Sequence, residues 1–83
     1  MHVTIKLYAT LADYLPAGTK ANRVEAEVAE GCTVSAALAP FALPPRLTHL
    51  VLVNGLFIPP AERATRVLAP GDTLAVWPPI AGG

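Results

Sequence analysis

Hydrophobic and polar residues alternate strictly near the start of the chain. Over residues 2–8, Val3, Ile5 and Leu7 occupy one face and the intervening positions, among them Tyr8, occupy the other. A period of two is typical of a strand with one buried face. The pattern therefore predicts a first strand whose aliphatic side chains point into the core.

A second segment, residues 24–29, alternates in the same way. Its open face carries Glu25 and Glu27. Charged side chains on an open face discourage pairing between sheet edges, so they favour an edge strand.

The next segment changes to a helical period. Val34, Leu38 and Phe41 are spaced as i, i+4 and i+7, which predicts one buried stripe of a helix. Thr33 is a suitable N-cap because its hydroxyl can accept a hydrogen bond from the first turn. Pro40 cannot continue a regular helix, so we expect the helix to end just before it, with a looser turn following.

The second half of the chain is predicted to form strands. Residues 47–53 predict a strand ending at Asn54-Gly55, a strong hairpin signal, and residues 56–58 predict the short returning strand. Residues 50–53 are apolar without alternation, so both faces of that strand should be covered. With a final strand over residues 73–77, the order predicts an α+β fold. We expect a mixed sheet with one main helix on one face and a partner protein on the other.

The chain ends in an unusual way. Its last strand runs into Pro78-Pro79, which terminate sheet pairing and hold the chain extended. We predict one domain over residues 1–79 and a flexible tail over residues 80–83 that reaches about 14 Å. Two interpretations are open: an ordinary frayed end, or a tail that enters another protein's active site with the Gly83 carboxylate as reactant.

Charge and composition exclude some classes of function. Six lysine and arginine residues balance six aspartate and glutamate residues, so no basic surface indicates nucleic-acid binding. Hydrophobic runs are too short for a membrane span. Because the single cysteine, Cys32, cannot form an internal disulfide, we expect a cytoplasmic location. A hydrophobic content of 53% in 83 residues indicates that some apolar surface faces a partner.

Few residues suggest catalysis. His2, His49 and Cys32 are scattered without ligand spacing, so no metal site is predicted, and Ser35 lacks a nucleophile setting. We therefore expect a protein that is not an enzyme by itself.

The final strand suggests a docking surface. If Leu74 and Val76 face the helix, Ala75 and Trp77 lie on the outer face beside Leu52. Large aromatic side chains are common interface anchors, although Trp77 could equally be core. The predicted partner-binding residues are Trp77, Pro78, Leu52 and Ala75.

Several stretches of the chain resemble a known family in order and over essentially the whole length. These stretches are residues 5–12, 33–34, 53–55, 68–72 and 78–83. Their combination resembles the MoaD/ThiS family of ubiquitin-like sulfur carriers, closest to the small subunit of molybdopterin synthase. The resemblance implies a β-grasp fold.

The resemblance also implies a mechanism. An adenylating enzyme of the MoeB/ThiF type would consume ATP and couple AMP to the Gly83 carboxylate. A sulfur donor, such as a persulfide relayed from a cysteine desulfurase, would then displace AMP and leave a thiocarboxylate. Gly82, Ala81 and Ile80 would thread the tail into the enzyme, and the carrier itself would bind no cofactor.

The pathway is less sharply defined. Trp77-Pro78-Pro79 resembles the molybdopterin synthase small subunit, Ile80-Ala81-Gly82-Gly83 resembles the thiamine thiazole carrier, and Pro40 departs from the family pattern. We favour molybdenum or tungsten cofactor synthesis, with the synthase large subunit as sulfur acceptor. The alternatives are thiamine thiazole synthesis, tRNA thiolation, a dedicated amino-acid route, a ubiquitin-like modifier joined to lysines, and a plain interaction domain.

Overall fold

The sheet is mixed and has five strands. A computed structural model describes residues 1–19 and 21–79; the predicted tail, residues 80–83, lies outside the described residues. The strands are β1 (His2–Leu7), β2 (Arg23–Glu27), β3 (Leu50–Val53), β4 (Leu56–Phe57) and β5 (Thr73–Trp77), and the α-helix is α1 (Val34–Leu38). They are ordered β2-β1-β5-β3-β4, with β1 and β5 parallel at the centre and the other pairs antiparallel. This arrangement confirms the α+β prediction and the edge position of β2.

The helix is short for the reasons visible in the sequence. The Thr33 hydroxyl accepts a hydrogen bond from the Ala36 N–H at 3.2 Å, so Thr33 caps α1 as predicted. Regular α-helix stops at Leu38, and a 3₁₀ turn, Ala39–Phe41, contains Pro40. The proline prediction is confirmed.

The core lies between the sheet and α1. Alternate residues of β1, β3 and β5 point to the helix side and are almost fully buried, as the period of two requires. The core side chains are Val3, Ile5, Leu7, Leu11, Val34, Ala37, Leu38, Val51, Val53, Ile58, Leu68, Leu74 and Val76.

One predicted strand begins later than expected. The sequence predicted strand from residue 47, but a 3₁₀ turn occupies Pro45–Leu47 and β3 starts at Leu50. The Thr48 hydroxyl donates a hydrogen bond to the Pro44 carbonyl at 3.0 Å, which stabilises the turn. Apolar content alone does not distinguish a turn that follows two prolines from the start of a strand.

The predicted hairpin is confirmed. Asn54 and Gly55 join β3 to β4, and both have a positive φ, 50° and 84°. A two-residue hairpin loop of this type requires left-handed backbone, which Asn and Gly adopt more readily than other residues.

Candidate functional site

The last strand is fixed on both sides just before the tail. The Tyr8 N–H donates to the Val76 carbonyl at 3.0 Å, and the His49 N–H donates to the Trp77 carbonyl at 3.2 Å. Pro78 and Pro79 follow, and neither has an N–H to donate. Within the described chain, Trp77 is the last residue with a backbone hydrogen bond. We call Trp77, Pro78 and Pro79 the tail root.

An aromatic stack supports the tail root. The rings of Tyr8 and Trp77 lie face to face, with centroids 4.1 Å apart and planes inclined by 7°. β1 and β5 are parallel and in register, so both side chains come from the ends of neighbouring strands. Both residues are half-buried. The stack therefore covers one face of the indole.

Trp77 also belongs to an apolar area on the face of the sheet opposite the helix. Leu52 pairs with Ala75, Leu50 pairs with Trp77, and Leu52 also pairs with Phe57 on the other side. Directly opposed residues share one face of a sheet. We call these five residues the outer patch.

The outer patch only partly matches the predicted docking surface. Ala75, Trp77 and Leu52 lie on the expected face, but Ala75 is buried, with 8% of its surface exposed, because larger neighbours surround it. Trp77 and Leu52 are half-buried and not fully exposed, since Tyr8 covers part of the indole. Phe57, 48% exposed, was not singled out from the sequence although it contributes more surface. Whether these residues and Pro78 bind a partner remains a prediction.

The other half of this face is polar. The Thr4 hydroxyl lies 3.0 Å from a Glu25 carboxylate oxygen, and His2 Nε2 lies 2.9 Å from Glu27. Lys6 sits between them and the patch, opposite Ala75. The outer face therefore divides into an apolar half beside the tail root and a charged half toward β2.

Arg63 is the structural residue that sequence analysis missed. Its Nε donates to the Ile58 carbonyl at 3.1 Å, and its two terminal nitrogens donate to the Thr48 and His49 carbonyls, both at 3.0 Å. Burial lowers the pKa of the Arg63 guanidinium below its ordinary value. Because His49 in turn binds Trp77, Arg63 fixes the segment that holds the tail root. A lone arginine in a polar loop carries no periodic signal that could have revealed this.

A groove of about 520 Å³ opens on the helix side, between the end of α1 and the loop that carries Arg63. Its walls are mostly aliphatic, with Ser35, Thr48 and Arg63 as the polar side chains. Two hydroxyls and an arginine already bound to three carbonyls do not form a nucleophile with its base. We assign no catalysis to the groove.

The other reactive residues lie apart from one another. The Cys32 thiol is half-buried at the start of α1 and donates to the Thr33 carbonyl at 3.4 Å. Over residues 1–19 and 21–79, no three His, Cys, Asp or Glu side chains are placed to hold a metal ion. Over the same residues, every helix is too short or too polar to cross a bilayer.

Two features together define the class of ubiquitin-like carrier and modifier proteins. The first is a small mixed sheet with one helix. The second is a last strand that is fixed at its end and is followed in the sequence by two prolines and Gly-Gly. Members of this class are carriers or modifiers and are not catalytic enzymes. The sequence profile of the ThiS family matches residues 5–83, and the chain belongs to this family.

Solved structures agree with this assignment. SAMP1 from Haloferax volcanii is 30% identical over 100% of both chains, with a TM-score of 0.73. Another structure of that organism's small archaeal modifier protein 1 is 27% identical over 95% of this chain and 98% of the other, with a TM-score of 0.70. The H. volcanii HVO 2177 protein, 24% identical over 100% of this chain and 87% of the other, shares the fold with a TM-score of 0.72. No curated protein matches the chain.

These similarities confirm the β-grasp fold and the family predicted from the sequence. They also fix the general function as that of a ubiquitin-like sulfur carrier or small protein modifier. Proteins of the ThiS family generally act with E1-like adenylating enzymes and with sulfur-accepting enzymes.

Proposed function

We propose that this protein is a sulfur carrier whose working group is the α-carboxylate of Gly83. The observation that carries the proposal is the ThiS family match, which extends to residue 83 and so includes Gly82 and Gly83. The tail root supports it, because the strand end is fixed by hydrogen bonds and the two prolines that follow cannot donate to a neighbouring strand.

The chemistry follows from the weakness of a carboxylate as an electrophile. An adenylating enzyme of the MoeB/ThiF type transfers AMP from ATP to a Gly83 oxygen and releases pyrophosphate. When sulfide is the nucleophile, a C–S bond forms while the C–O bond to AMP breaks, which leaves a thiocarboxylate. In the cell, a persulfide relayed from a cysteine desulfurase takes the place of sulfide: its terminal sulfur displaces AMP and forms an acyl disulfide. A thiol then attacks the other sulfur of that disulfide, so that the S–S bond breaks, a new disulfide forms and the thiocarboxylate is released.

Each remaining tail residue has a role in this proposal. Gly82 and Gly83 let the backbone pass through a narrow channel because they carry no side chain. Ile80 and Ala81 bridge the distance from the tail root to the enzyme's active site. The carrier binds no cofactor, since the ATP belongs to the activating enzyme, and we place the reaction in the cytoplasm.

The favoured sulfur acceptor is the large subunit of molybdopterin synthase. The support is the Trp77-Pro78-Pro79 sequence, in which a half-buried aromatic side chain leads directly into the tail. The outer patch, which includes Trp77, Leu52 and Ala75, is the surface that we propose this partner covers, together with Pro78. Thiamine thiazole synthesis and tRNA thiolation are the alternative destinations.

A second function is favoured by a separate observation. The structural neighbours at 30% and 27% identity are both SAMP1, a small archaeal modifier protein. The same activated Gly83 could be attacked by a lysine amine of another protein, forming an isopeptide bond in place of a thiocarboxylate. Tagged protein expressed in cells would then give a ladder of covalent adducts, each with a lysine joined to Gly83.

Intact-mass spectrometry tests the leading proposal. The purified chain is incubated with ATP, sulfide and an adenylating enzyme encoded in the same genome. Replacement of one oxygen by sulfur adds about 16 Da, and we expect this gain only when ATP is present.

A variant that lacks Gly83 is the matched control, because it keeps a terminal carboxylate on Gly82 but shortens the tail by one residue. We expect it to gain no mass. A wild-type chain that never gains mass with such enzymes, together with a Gly83 deletion that leaves the cell unaffected, would overturn the proposal.

A further inference from the structure

Tyr8 is the last extended residue before the chain leaves the sheet, with φ −100° and ψ 157°. It is the first residue after β1, and its carbonyl accepts the Leu11 N–H at 3.0 Å as a 3₁₀ turn begins. The following residue, Ala9, has a φ of 52°, in the left-handed region that residues with a Cβ rarely adopt. The chain thus turns away sharply, without the help of glycine, directly after Tyr8.

Just before this turn, the Tyr8 ring lies on Trp77. The Tyr8 N–H is bound to the Val76 carbonyl at 3.0 Å, so the backbone of Tyr8 lies against β5. Its ring lies parallel to the indole, at a centroid distance of 4.1 Å. A strained backbone persists where the surroundings hold it in place, and such sites are often functional.

The stack lies at the point beyond which backbone hydrogen bonds no longer fix the direction of the chain. The Trp77 carbonyl is held by His49 at 3.2 Å, but Pro78 and Pro79 cannot donate to a neighbouring strand. Beyond Trp77, the direction of the chain depends on how firmly that residue is held. The six residues from Pro78 to Gly83 span at most about 20 Å, so a rotation of about 30° at the root displaces their end by about 10 Å.

We propose that Tyr8 is a positioning residue: by stacking on Trp77 it fixes the direction in which the tail root leaves the sheet, and so presents the tail to the activating enzyme. This inference rests on the proposed function. Without the stack, only a fraction of molecules present the tail correctly, and the apparent affinity for the enzyme falls by that fraction. Once the carboxylate is in the active site, its chemistry does not involve Tyr8.

The test compares Tyr8→Ala with Tyr8→Phe in ATP-dependent activation of the carrier. We expect Tyr8→Ala to raise the KM for the carrier about fivefold with kcat unchanged. Tyr8→Phe keeps an aromatic face and should restore the KM. Tyr14→Ala is the control, since Tyr14 is an exposed tyrosine at the end of the turn Ala9–Tyr14.

A double mutant distinguishes positioning from direct contact with the enzyme. If Tyr8 acts through Trp77, Tyr8→Ala combined with Trp77→Ala has the same KM as Trp77→Ala alone, whereas independent contacts would add. An enzyme-free measurement accompanies it: ¹⁵N relaxation of the Trp77 indole N–H should show faster, wider motion in Tyr8→Ala than in the wild type.

The outcomes separate the two proposals. A wild-type chain that is not activated at all overturns the proposed function. A wild-type chain that is activated, with Tyr8→Ala matching it in KM, or with additive effects in the double mutant, overturns the positioning role alone. Unchanged motion of the Trp77 indole in Tyr8→Ala also overturns it.

Discussion

Trp77 combines a structural contact with a surface that remains partly open. One face of its indole lies on Tyr8, and its carbonyl is bound by His49, yet the residue is only half-buried. The fully buried side chains Leu74 and Val76 of β5 point to the opposite face, and of the buried residues of this strand only Ala75 shares the face of Trp77. Trp77 is therefore available to a partner without being a member of the helix-side core.

A Trp77→Ala substitution tests this distinction. Loss of a large aromatic side chain from the outer patch should weaken binding of the sulfur-accepting partner by more than about 1 kcal/mol, or about fivefold in Kd. Isothermal titration calorimetry measures the affinity, and far-UV circular dichroism during urea unfolding measures whether the fold persists.

Val67→Ala is the matched control for Trp77→Ala. Val67 is an exposed apolar residue, 53% accessible, but it pairs with Thr33 at the start of α1 and lies outside the outer patch. We expect its substitution to leave the affinity unchanged. If Trp77→Ala abolishes cooperative unfolding, the tryptophan is a core residue and the docking interpretation is wrong.

Contacts at the residue scale were the least predictable part of the molecule. The alternation in β1 placed Tyr8 on the outer face, but nothing in the sequence indicated that its ring would lie on Trp77. Nor did any pattern indicate that Arg63 would bind the Thr48 and His49 carbonyls. Both contacts join residues from different segments of the chain, and the stack also depends on the register between β1 and β5.

At the scale of secondary-structure elements, local sequence was sufficient to predict most of the helix and hairpin boundaries. A threonine cap and a proline seven residues later were sufficient to predict a short helix that ends just before the proline. Asn54-Gly55 predicted the hairpin because that loop requires left-handed backbone. The predicted start of β3 was wrong, since the apolar residue Leu47 belongs to a turn.

The hairpin is also tied to β5, which the sequence did not reveal. The Asn54 side chain donates to an Asp72 carboxylate oxygen at 2.8 Å, and its carbonyl oxygen accepts the Thr73 N–H at 2.8 Å. The Asn54 amide thus connects the β3–β4 loop to the residues at which β5 begins.

Substitutions at Asn54 separate backbone conformation from side-chain bonding. Asn54→Ala removes both side-chain hydrogen bonds and places an alanine at a φ of 50°, so we expect the free energy of unfolding to fall by about 2 kcal/mol. Asn54→Gly removes the same hydrogen bonds but tolerates this φ, and should cost about 1 kcal/mol. Urea unfolding followed by Trp77 fluorescence measures both.

Two results for the Asn54 variants would contradict a stabilising role of the side-chain hydrogen bonds. If both Asn54 variants unfold within about 0.5 kcal/mol of the wild type, the link between hairpin and β5 contributes nothing measurable. If only the alanine variant is destabilised, the backbone conformation matters and the side-chain bonds do not.

The fold of the whole molecule was predictable because each level of the sequence agrees with the others. Strand periodicity, the single helix and the hairpin together gave a mixed sheet with one covered face. The outer patch followed from β3, whose residues are apolar on both faces, although the burial of Ala75 depends on neighbours that no period reveals. The function required the resemblance to a family, since the residues themselves leave a frayed end as an alternative.

The division into a domain and a tail makes a prediction at this largest scale. Over the described chain, the fully buried large side chains lie between Val3 and Val76, and the last backbone hydrogen bond lies at Trp77. Deleting residues 80–83 should therefore leave the free energy of unfolding within about 0.5 kcal/mol of the wild type. The same deletion should abolish the ATP-dependent mass gain.

The carrier mechanism requires that residues 80–83 do not contribute to the stability of the domain. A reactive tail that also stabilised the domain would have to unfold part of it to reach an enzyme. Chemical denaturation of the deletion variant and the wild type, followed by Trp77 fluorescence in both, provides the comparison. A loss of more than about 1 kcal/mol would show that residues 80–83 contribute to the folded domain. The boundary after Pro79 would then be wrong, and the tail could not serve as the freely presented reactant.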